Sequence, residues 1–358
     1  MTHAARGCRS AALLCPLLVL VLAAIPAAGA AQEELPLNVR RVSDRVLVTW
    51  HCDHFQGTNM AVIATAEGLV IIDTGLSPTL VRKQRSRVES ELGRSDFRYL
   101  INTHMHNDHA FANEVFPEAT VVGPARGVAA LKLEMERIPE LLERLRRGRA
   151  SFEEWAAEVP ADSAGGQQAR EGVAAFGVGI ADLERGITPR YPTSTFHGRH
   201  TLDLGDVHVE LYEFAGLHSD SDILIVVPEE RMLFTGDVFW GGQLPVLRVG
   251  TRGDLHQLLD HWAMILERYP DLEIVVPGHS DVPLTVDGFR GMHAYVSRLW
   301  TDVKAARSSG RTILQFLAGH DFAERYPEVA SFGHMRGEYN LHQHNIYMLW
   351  QLADDEAG

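Results

Sequence analysis

The sequence predicts a mixed α/β protein whose strands fall into two groups. Short apolar or β-branched runs of strand length, bounded by Gly, Asp, Asn or Pro, occur between residues 45 and 101 and again between 207 and 276. Amphipathic helical patterns lie between these runs. The 358 residues are 46% hydrophobic and 22% charged, which is the balance of a globular protein with a sizeable core.

Four predicted strands make up each group. Those of the first group are Arg45–Trp50, Met60–Ala64, Leu69–Ile72 and Tyr99–Ile101. Those of the second group are Val207–Phe214, Ile223–Val227, Met232–Phe234 and Glu273–Val276. The helical patterns cover Pro78–Leu92, Asp254–Arg268 and Val286–Ala306. The earliest helix has a suitable cap in Ser77 and a proline at its first position.

The stretch from about 126 to 196 differs from its surroundings. It contains helix-prone amphipathic segments followed by a Gly/Ala-rich segment. We expect a helical insertion there, which is either a lid over a binding site or a set of plain structural helices. From about residue 284 to residue 358 the pattern is mostly helical, which predicts a helical C-terminal extension.

Residues 1–30 have the layout of a secretory signal peptide. Arg6 and Arg9 precede an apolar stretch over Ala11–Ile25, and Ala28-Gly-Ala supplies small residues suited to cleavage. The other interpretation, a membrane anchor, is disfavoured by this ending. We therefore expect an exported protein, periplasmic or secreted, with no stable membrane insertion once the signal is cleaved.

The charge and the cysteine count exclude two classes of protein. The net charge is −14, and after signal cleavage 31 Lys and Arg would face 47 Asp and Glu, giving −16. An acidic chain of this kind disfavours a nucleic-acid partner, because phosphate contacts need a basic face. Of three cysteines only Cys52 would remain, so an internal disulfide is excluded.

Histidine is unusually frequent, with 18 residues, and several of them cluster after the strand Tyr99–Ile101. In an extended segment, His104 and His106 point the same way, because side chains alternate with period two. Asp108 is expected to cap the next helix, and His109 faces another direction. The segment thus offers two imidazoles to one metal, and a carboxylate with an imidazole to a second.

Three further metal-capable residues share one local pattern. His218, Asp237 and His279 each follow a predicted strand and a glycine. If these strands run alongside Tyr99–Ile101 in one sense, the side chains converge on one edge. Each motif is weak alone, but together and in this order they indicate a metal site.

Through these residues, and through Asp73 in Asp-Thr-Gly, the sequence resembles the metallo-β-lactamase-fold hydrolases. The resemblance extends over roughly residues 42–283 and includes every metal position of the dinuclear pattern. It implies a four-layer αβ/βα sandwich, in which two mixed sheets are flanked by helices, forming one catalytic domain over 31–358. It places the site at one edge of the sheets.

The resemblance also assigns roles to individual residues. It implies that one metal is held by His104, His106 and His218, and the other by Asp108, His109 and His279. Asp237 would bridge the two. Beside the ligands it implies supporting roles for Asp73, Thr103 and Ser219, with Asp73 accepting a hydrogen bond from a ligand histidine. The expected cofactor is two Zn²⁺, with iron or manganese as alternatives.

The chemistry implied is hydrolysis of a small molecule. A hydroxide shared by two metal ions is a strong nucleophile near neutral pH and would attack an ester, thioester, lactone or lactam carbonyl. Asp108 would act as the catalytic residue that orients the hydroxide and moves its proton. Cysteine-containing β-lactamases have Cys where this chain has Asp237. Aspartate at this position is instead typical of glyoxalase II-like thioesterases and lactonases.

Four residues are candidates for the substrate pocket: His51, Cys52, His54 and His344. A metal-ligand role for Cys52 is the alternative to a pocket role. For the C-terminal histidines His334, His342 and His344, helix capping and packing are the alternative.

Competing functions remain open. One is a mononuclear iron oxidoreductase on the same fold, similar to the persulfide dioxygenases. Others are a β-lactamase of the cysteine-free type and a non-catalytic binding protein. The complete second set of ligands favours the dinuclear hydrolase.

Overall fold

Two β-sheets form the centre of the molecule. The computed structural model describes residues 35–51, 57–214, 218–248, 254–279, 282–319, 321–333, 335–336 and 339–355. Within these residues, the first sheet contains β1 (Asn38–Arg41), β2 (Val46–Trp50), β3 (Met60–Thr65), β4 (Gly68–Ile72), β5 (Phe97–Ile101), β6 (Thr120–Pro124) and β7 (Ser194–Phe196). The second contains β8 (Arg199–Asp203), β9 (His208–Glu213), β10 (Ile223–Val227), β11 (Met232–Gly236), β12 (Ile274–Pro277) and β13 (Leu284–Thr285).

Helices connect and cover the sheets. They are α1 (Pro78–Leu92), α2 (Asn107–Ala110), α3 (Gly127–Glu136), α4 (Ile138–Glu158), α5 (Ala164–Arg185), α6 (Leu255–Arg268), α7 (Val286–Ser308), α8 (Ile313–Ala318), α9 (Phe322–Arg325) and α10 (Leu341–Asp355). Short 3-10 turns lie at Phe111–Val115, Pro228–Glu230 and Pro327–Val329. A hairpin of β14 (Met335–Arg336) and β15 (Tyr339–Asn340) precedes α10.

The strand order positions the functional site. In the first sheet β1 to β4 pair antiparallel, and β4 to β7 pair parallel after the helical crossover through α1. In the second sheet β8 to β11 are antiparallel, β12 lies parallel to β11 after α6, and β13 is antiparallel. Consequently β9, β11 and β12 run in one sense.

The side chains of β3 show why the fold has four layers. Ala61 and Ile63 face the second sheet, while Met60 and Val62 face α1, following the two-residue period of a strand. On the outer face of the second sheet, an apolar cluster joins β9 to β12 with α6, α7 and α10. Two sheets packed face to face with helices outside form the predicted αβ/βα sandwich, so the fold class is confirmed.

The predicted elements agree closely with the structure. All eight predicted strands are present within two residues at each end, and α1 has the predicted bounds. The side chain of Ser77 caps α1, and Asp254 caps α6 by accepting from two backbone N–H groups. Sequence patterns missed the short strands β1, β6, β7, β8 and β13, because segments of two to five residues hold too few residues to show a clear period.

The stretch 126–196 is helical over most of its length, as α3, α4 and α5. The predicted end of this insertion, at about residue 196, is wrong, because residues 194–196 form β7, which pairs with β6 and belongs to the first sheet. The Gly/Ala-rich part is α5, and its small residues let α4 approach closely. At Gly172 a Cβ would lie 2.1 Å from the Phe152 ring of α4.

The expected signal peptide lies outside the described residues. Within the part of the chain that the structure describes, no helix is long and apolar enough to cross a bilayer.

Candidate metal centre

The metal-capable residues meet where strands of both sheets end. His104, His106, Asp108 and His109 follow β5 of the first sheet. The other three, His218, Asp237 and His279, follow β9, β11 and β12 of the second. The side chains converge although the condition set for it, that these strands run alongside β5, is not met, because β5 belongs to the other sheet. Because β9, β11 and β12 run in one sense, their ends face the end of β5 across the sandwich.

Three histidines form the first group. Nε2 of His104 lies 3.0 Å from Nδ1 of His106, and Nε2 of His218 lies 2.9 Å from the same atom. Nitrogens bound to one tetrahedral zinc at about 2.0–2.1 Å are about 3.3 Å apart. The three imidazoles are therefore spaced as ligands of a single ion.

The second group combines a carboxylate with two imidazoles. Oδ2 of Asp108 lies 3.3 Å from Nε2 of His279 and 4.0 Å from Nε2 of His109. Asp108 is the second residue of α2, whose N-cap is His106, so the expectation that Asp108 caps this helix is wrong.

Asp237 lies between the two groups and directs one oxygen to each. Its Oδ2 is 3.4 Å from Nε2 of His218. Its Oδ1 is 3.2 Å from Nε2 of His109 and 3.5 Å from Nε2 of His279. The Asp237 carboxylate therefore contacts imidazoles of both groups.

The buried polar atoms support this interpretation. Among the described residues, Nε2 of His109 and Oδ1 of Asp237 are buried without a hydrogen-bond partner of good geometry. A buried polar group left in this way costs about 1–3 kcal/mol. A cation bound between these atoms would satisfy both, so the residues present fit a metal.

Asp73 holds the ligand histidines from behind. Its Oδ2 accepts from Nδ1 of His109 at 2.9 Å and from Oγ1 of Thr103 at 2.7 Å, and its Oδ1 accepts from the Thr103 backbone N–H at 2.8 Å. Asp73 has a φ of 56°, a left-handed conformation that is uncommon outside glycine. The Asp73 carboxylate thus fixes the His109 tautomer and leaves Nε2 facing the site.

The hydroxyl of Thr103 sets the tautomer of His104. Because the hydroxyl donates to Asp73, it accepts from Nδ1–H of His104, 3.2 Å away. The Nε2 lone pair of His104 then points at the first group. Burial and the neighbouring His109 and His106 hold the pKa of His104 well below its usual value, so the ring stays neutral.

The second group favours positive charge. Burial lowers the pKa of His109, but Asp73, Asp237 and Asp108 outweigh it, and the pKa is raised well above its usual value. For His279, burial is outweighed by Asp237 and Asp108, and the pKa rises to about 9. Burial raises the pKa of Asp108, but His109 and His279 hold it at about 2. Paired carboxylates that stabilise cations at this depth are what a metal site requires.

Two glycines allow the strands to approach this closely. A Cβ on Gly278 would lie 2.3 Å from Oδ1 of Asp237 and 2.8 Å from Cε1 of His109. A Cβ on Gly236, whose φ is 50°, would lie 2.3 Å from Oγ1 of Thr103. The glycines of Thr-Gly-Asp and Pro-Gly-His therefore provide space for the site as well as turns.

Asp222 anchors the loop of His218, a role that sequence reasoning missed. Its buried carboxylate accepts from the backbone N–H groups of His218 and Ser219, both at 2.9 Å, and from the Ser219 hydroxyl at 2.5 Å. Ser219 thus acts through Asp222 and not on His218. The nearby Ser221 hydroxyl accepts from the Met105 N–H at 3.0 Å, which ties this loop to the histidine segment.

A cavity of about 620 Å³ opens above the metal-capable residues. Most of its lining comes from residues other than the metal-capable ones, and none of these residues was predicted to line a pocket: Asn107, Glu134, Arg137, Glu140, Leu141, Arg144, Arg147, Trp240 and Arg248. The ring of Trp240 lies 5.7 Å from that of His279. The helical spacing of the arginines was visible in the sequence, but the spacing does not show which space they face.

The predicted pocket residues do not line this cavity where they are described. His51 is buried, with its ring nitrogens 3.2 and 3.1 Å from the carbonyls of Pro36 and Leu80, and it lines a separate small cavity. Nε2 of His344 lies 2.9 Å from the carbonyl of Leu247, so it holds a loop in place. The pocket prediction is therefore wrong for both residues. Cys52, His54 and His334 lie outside the described residues.

Comparison with known families identifies the superfamily of this chain. A family model described as the metallo-beta-lactamase superfamily matches residues 55–279, more than half of the chain. The chain belongs to the metallo-beta-lactamase superfamily. Members of this superfamily are mostly hydrolases and bind metal ions, typically zinc. No curated protein sequence matches the chain.

Solved structures share the superfamily fold at low identity. The sec-alkylsulfatase Pisa1 from Pseudomonas sp. matches at 16% identity, covering 88% of this chain and 50% of that chain with a TM-score of 0.60. The metallo-beta-lactamase FIM-1 from Pseudomonas aeruginosa, in its mono-zinc form, matches at 13% identity, covering 74% of this chain and 96% of that chain with a TM-score of 0.50. A metallo-beta-lactamase from Pontibacter korlensis matches at 18% identity, covering 69% of this chain and 92% of that chain with a TM-score of 0.46. The chain thus spans half the length of the alkylsulfatase, and the first two likenesses support the fold.

Proposed function

We propose that this protein is an exported dinuclear zinc hydrolase that attacks an ester, thioester, lactone or lactam carbonyl. Membership of a superfamily composed mostly of hydrolases supports the reaction class. The signal-like layout of residues 1–30 supports export. The two ligand groups and the cavity above them support a small-molecule substrate.

The position of Asp237 is the observation that carries the proposal. One of its oxygens faces His218 of the first group, and the other faces His109 and His279 of the second. If two ions were bound, a carboxylate placed in this way would contribute one oxygen to each group of ligands.

The chemistry divides between the metal ions and the residues around them. Bound zinc supplies Lewis acidity, which brings the pKa of water to about 7 and polarises a carbonyl. The cavity is lined by His106, Asp108, Asp237 and His279, so a carbonyl that enters it meets both groups. The buried His104 and His109 hold the site from below, oriented by Thr103 and Asp73.

Asp108 is suited to orienting a nucleophile. With its pKa held at about 2, its carboxylate is ionised near neutral pH and can accept a hydrogen bond at Oδ1 or Oδ2. Its side chain lines the cavity that a substrate would enter. This supports the role of Asp108 in orienting the nucleophile, and transfer of a proton through Asp108 to the leaving group is a further part of the proposal.

Metal analysis and a substrate panel test this proposal. The mature protein is expected to bind two zinc ions per chain and to hydrolyse at least one of a set of p-nitrophenyl esters, thioesters, lactones and a chromogenic cephalosporin. His104→Ala is expected to abolish hydrolysis, because it removes a ligand of the first group. His197→Ala is the matched control, since His197 is exposed.

Other outcomes contradict the proposal. One iron per chain, with oxygen uptake on a thiol persulfide and no hydrolysis, would establish the mononuclear oxidoreductase instead. Hydrolysis of the cephalosporin alone would instead agree with the proposal and restrict the substrate to lactams, as in a β-lactamase of the cysteine-free type. Secretion is tested separately by expressing the full chain and sequencing the N-terminus of the exported protein, which is expected to begin after Ala30.

A further inference from the structure

One wall of the cavity is a face of α4. Glu140, Leu141, Arg144 and Arg147 line the cavity, and Arg137 lines it from the residue just before the helix. Their spacing of three or four residues places them along one stripe of the helix. At about 1.5 Å per residue, the arginines extend over about 15 Å.

This helix is fixed to the body of the protein. Leu141 and Leu145 are buried in an apolar cluster with residues of α5 and the histidine segment. A Cβ on Gly148 would lie 2.6 Å from the Phe176 ring of α5, so the two helices are in close contact. The arginines on the cavity face are therefore held by a packed helix.

A fourth arginine lines the cavity from another part of the fold. Arg248 follows Leu247, whose backbone is held by α10 on both sides. The Leu247 N–H donates to Oδ1 of Asn345 at 3.1 Å, and the Leu247 carbonyl lies 2.9 Å from Nε2 of His344. We define the arginine wall as Arg137, Arg144, Arg147 and Arg248.

The arginine wall outweighs the acidic groups beside it. Besides Asp108 and Asp237, which lie within 3.5 Å of His279 at the base of the cavity, two acidic residues line it, Glu134 and Glu140. Glu134 accepts from Nδ2 of Asn107 at 2.8 Å and lies 3.6 Å from Arg137, so these two charges are engaged with each other. The other three arginines of the wall then face Glu140 alone, which leaves an excess of positive charge on this wall, in a chain whose net charge is −14.

We propose that the arginine wall binds an acidic group of the substrate, and that this enzyme acts on anionic small molecules. The inference rests on the proposed hydrolase function and names its substrate class. The acidic group is a carboxylate, sulfate or phosphate carried beside the scissile bond, because guanidinium groups bind all three through paired hydrogen bonds. Trp240 provides an apolar surface for the remainder of the substrate.

Charge in a partly enclosed cavity favours such a substrate in two ways. Positive potential raises the local concentration of anions and speeds their association. Hydrogen bonds to charged groups then orient the substrate with its carbonyl towards the metal-capable residues. A neutral substrate of the same size gains neither effect.

A matched pair of esters tests the inference on the zinc-loaded enzyme. 4-Nitrophenyl acetate and mono-4-nitrophenyl succinate share a leaving group, but only the second carries a carboxylate. We expect kcat/KM to be at least tenfold higher for the succinate ester, and this preference to fall as ionic strength rises. Arg144→Gln and Arg147→Gln are each expected to lower the succinate-to-acetate ratio by about tenfold.

Arg149→Gln is the matched control. It lies on the same helix and pairs with Glu153 at 2.9 Å, but it does not line the cavity, so the ratio is expected to stay unchanged. 4-Nitrophenyl sulfate and 4-nitrophenyl phosphate are assayed as two further substrates. Faster turnover of either than of the succinate ester would place the acidic group at the scissile bond.

A binding measurement separates failure of this inference from failure of the proposed function. Titration calorimetry with succinate is expected to show about tenfold weaker binding in Arg144→Gln than in the unmodified enzyme. An equal rate on both esters, with no change in succinate affinity in either variant, would overturn the anionic substrate class. Absence of bound zinc and of ester hydrolysis would instead overturn the hydrolase, while the calorimetry still tests the arginine wall.

Discussion

At Gly278 the absence of a side chain determines how close two strands of the second sheet come. Gly236 is the last residue of β11 and Gly278 follows the neighbouring parallel strand β12, and the Gly278 N–H donates to the Gly236 carbonyl at 2.9 Å. This contact brings His279 and Asp237 side by side. The sequence shows the two glycines as turn signals, but only the packing shows that they also leave room for a carboxylate and an imidazole.

We predict that Gly278→Ala disrupts the metal centre without unfolding the protein. The new methyl group would lie 2.3 Å from Oδ1 of Asp237, so the bridging carboxylate has to move. We expect about 10- to 100-fold weaker metal binding, comparable to the loss of a residue that supports a ligand. Metal content after dialysis against a weak chelator measures this effect.

The control for this substitution is Gly177→Ala. Gly177 lies in α5, and a Cβ there would meet only a guanidinium nitrogen of Arg149, 4.0 Å away. This change is expected to preserve metal content and to raise stability slightly, because alanine favours a helix over glycine. Full metal retention in Gly278→Ala would show that Asp237 does not bridge.

At the scale of elements, a buried aspartate joins α5 to the start of α1. Asp182 accepts from the Thr79 N–H at 2.9 Å and from the Thr79 hydroxyl at 2.7 Å, and it also contacts Ser77 and Arg185. Burial raises its pKa, but these hydrogen bonds outweigh burial, and the pKa is lowered overall. The helices 126–185 are thus attached to the first sheet by a charged contact as well as by apolar packing.

We predict a pH-dependent loss of stability in Asp182→Asn. A carboxylate whose pKa is lower in the folded than in the unfolded state stabilises the fold above its unfolded pKa of about 3.9. That contribution is lost as the pH falls through the folded pKa. We expect the variant to be about 1–3 kcal/mol less stable at pH 7, from lost hydrogen bonds to a charged group.

Urea unfolding at pH 7 and below pH 3 measures this difference, which should shrink at the lower pH. Glu184→Gln is the control, because Glu184 is exposed and its pairing with Arg146 lies at the surface. A constant difference at both pH values would mean that the Asp182 charge does not contribute.

At the scale of the whole molecule, each ligand group takes residues from both sheets. In the first group His104 and His106 follow β5, whereas His218 follows β9. In the second group Asp108 and His109 follow β5, whereas His279 follows β12. Metal bound here would connect the two halves of the sandwich.

We predict that metal removal lowers the melting temperature. A ligand present at about 1,000 times its Kd stabilises the folded state by about 4 kcal/mol, which for a chain of this size corresponds to roughly 6 °C. Differential scanning calorimetry with and without EDTA measures this shift, and EDTA saturated with calcium is the control. An unchanged melting temperature after verified metal loss would show that the apo site already holds the sheets together.

The sequence by itself determined the residue types at the site and the strands that carry them. Strand length, two-residue alternation and the order of the His, Asp and Gly motifs are local properties, so β2 to β5 and β9 to β12 were predictable, as was the fold through the resemblance. The distribution of ligands over two sheets was not predictable, because strand pairing depends on contacts between distant segments.

Only the tertiary structure decided what lies around the site. It placed His51 and His344 outside the cavity, and it gave Asp222 the role of holding the His218 loop. It also turned a face of α4 towards the site, where helical spacing alone predicts only an amphipathic stripe. Helical periodicity shows which residues lie on the same face of a helix. Which part of the protein or which cavity that face contacts depends on packing between distant segments, and a local sequence pattern does not show it.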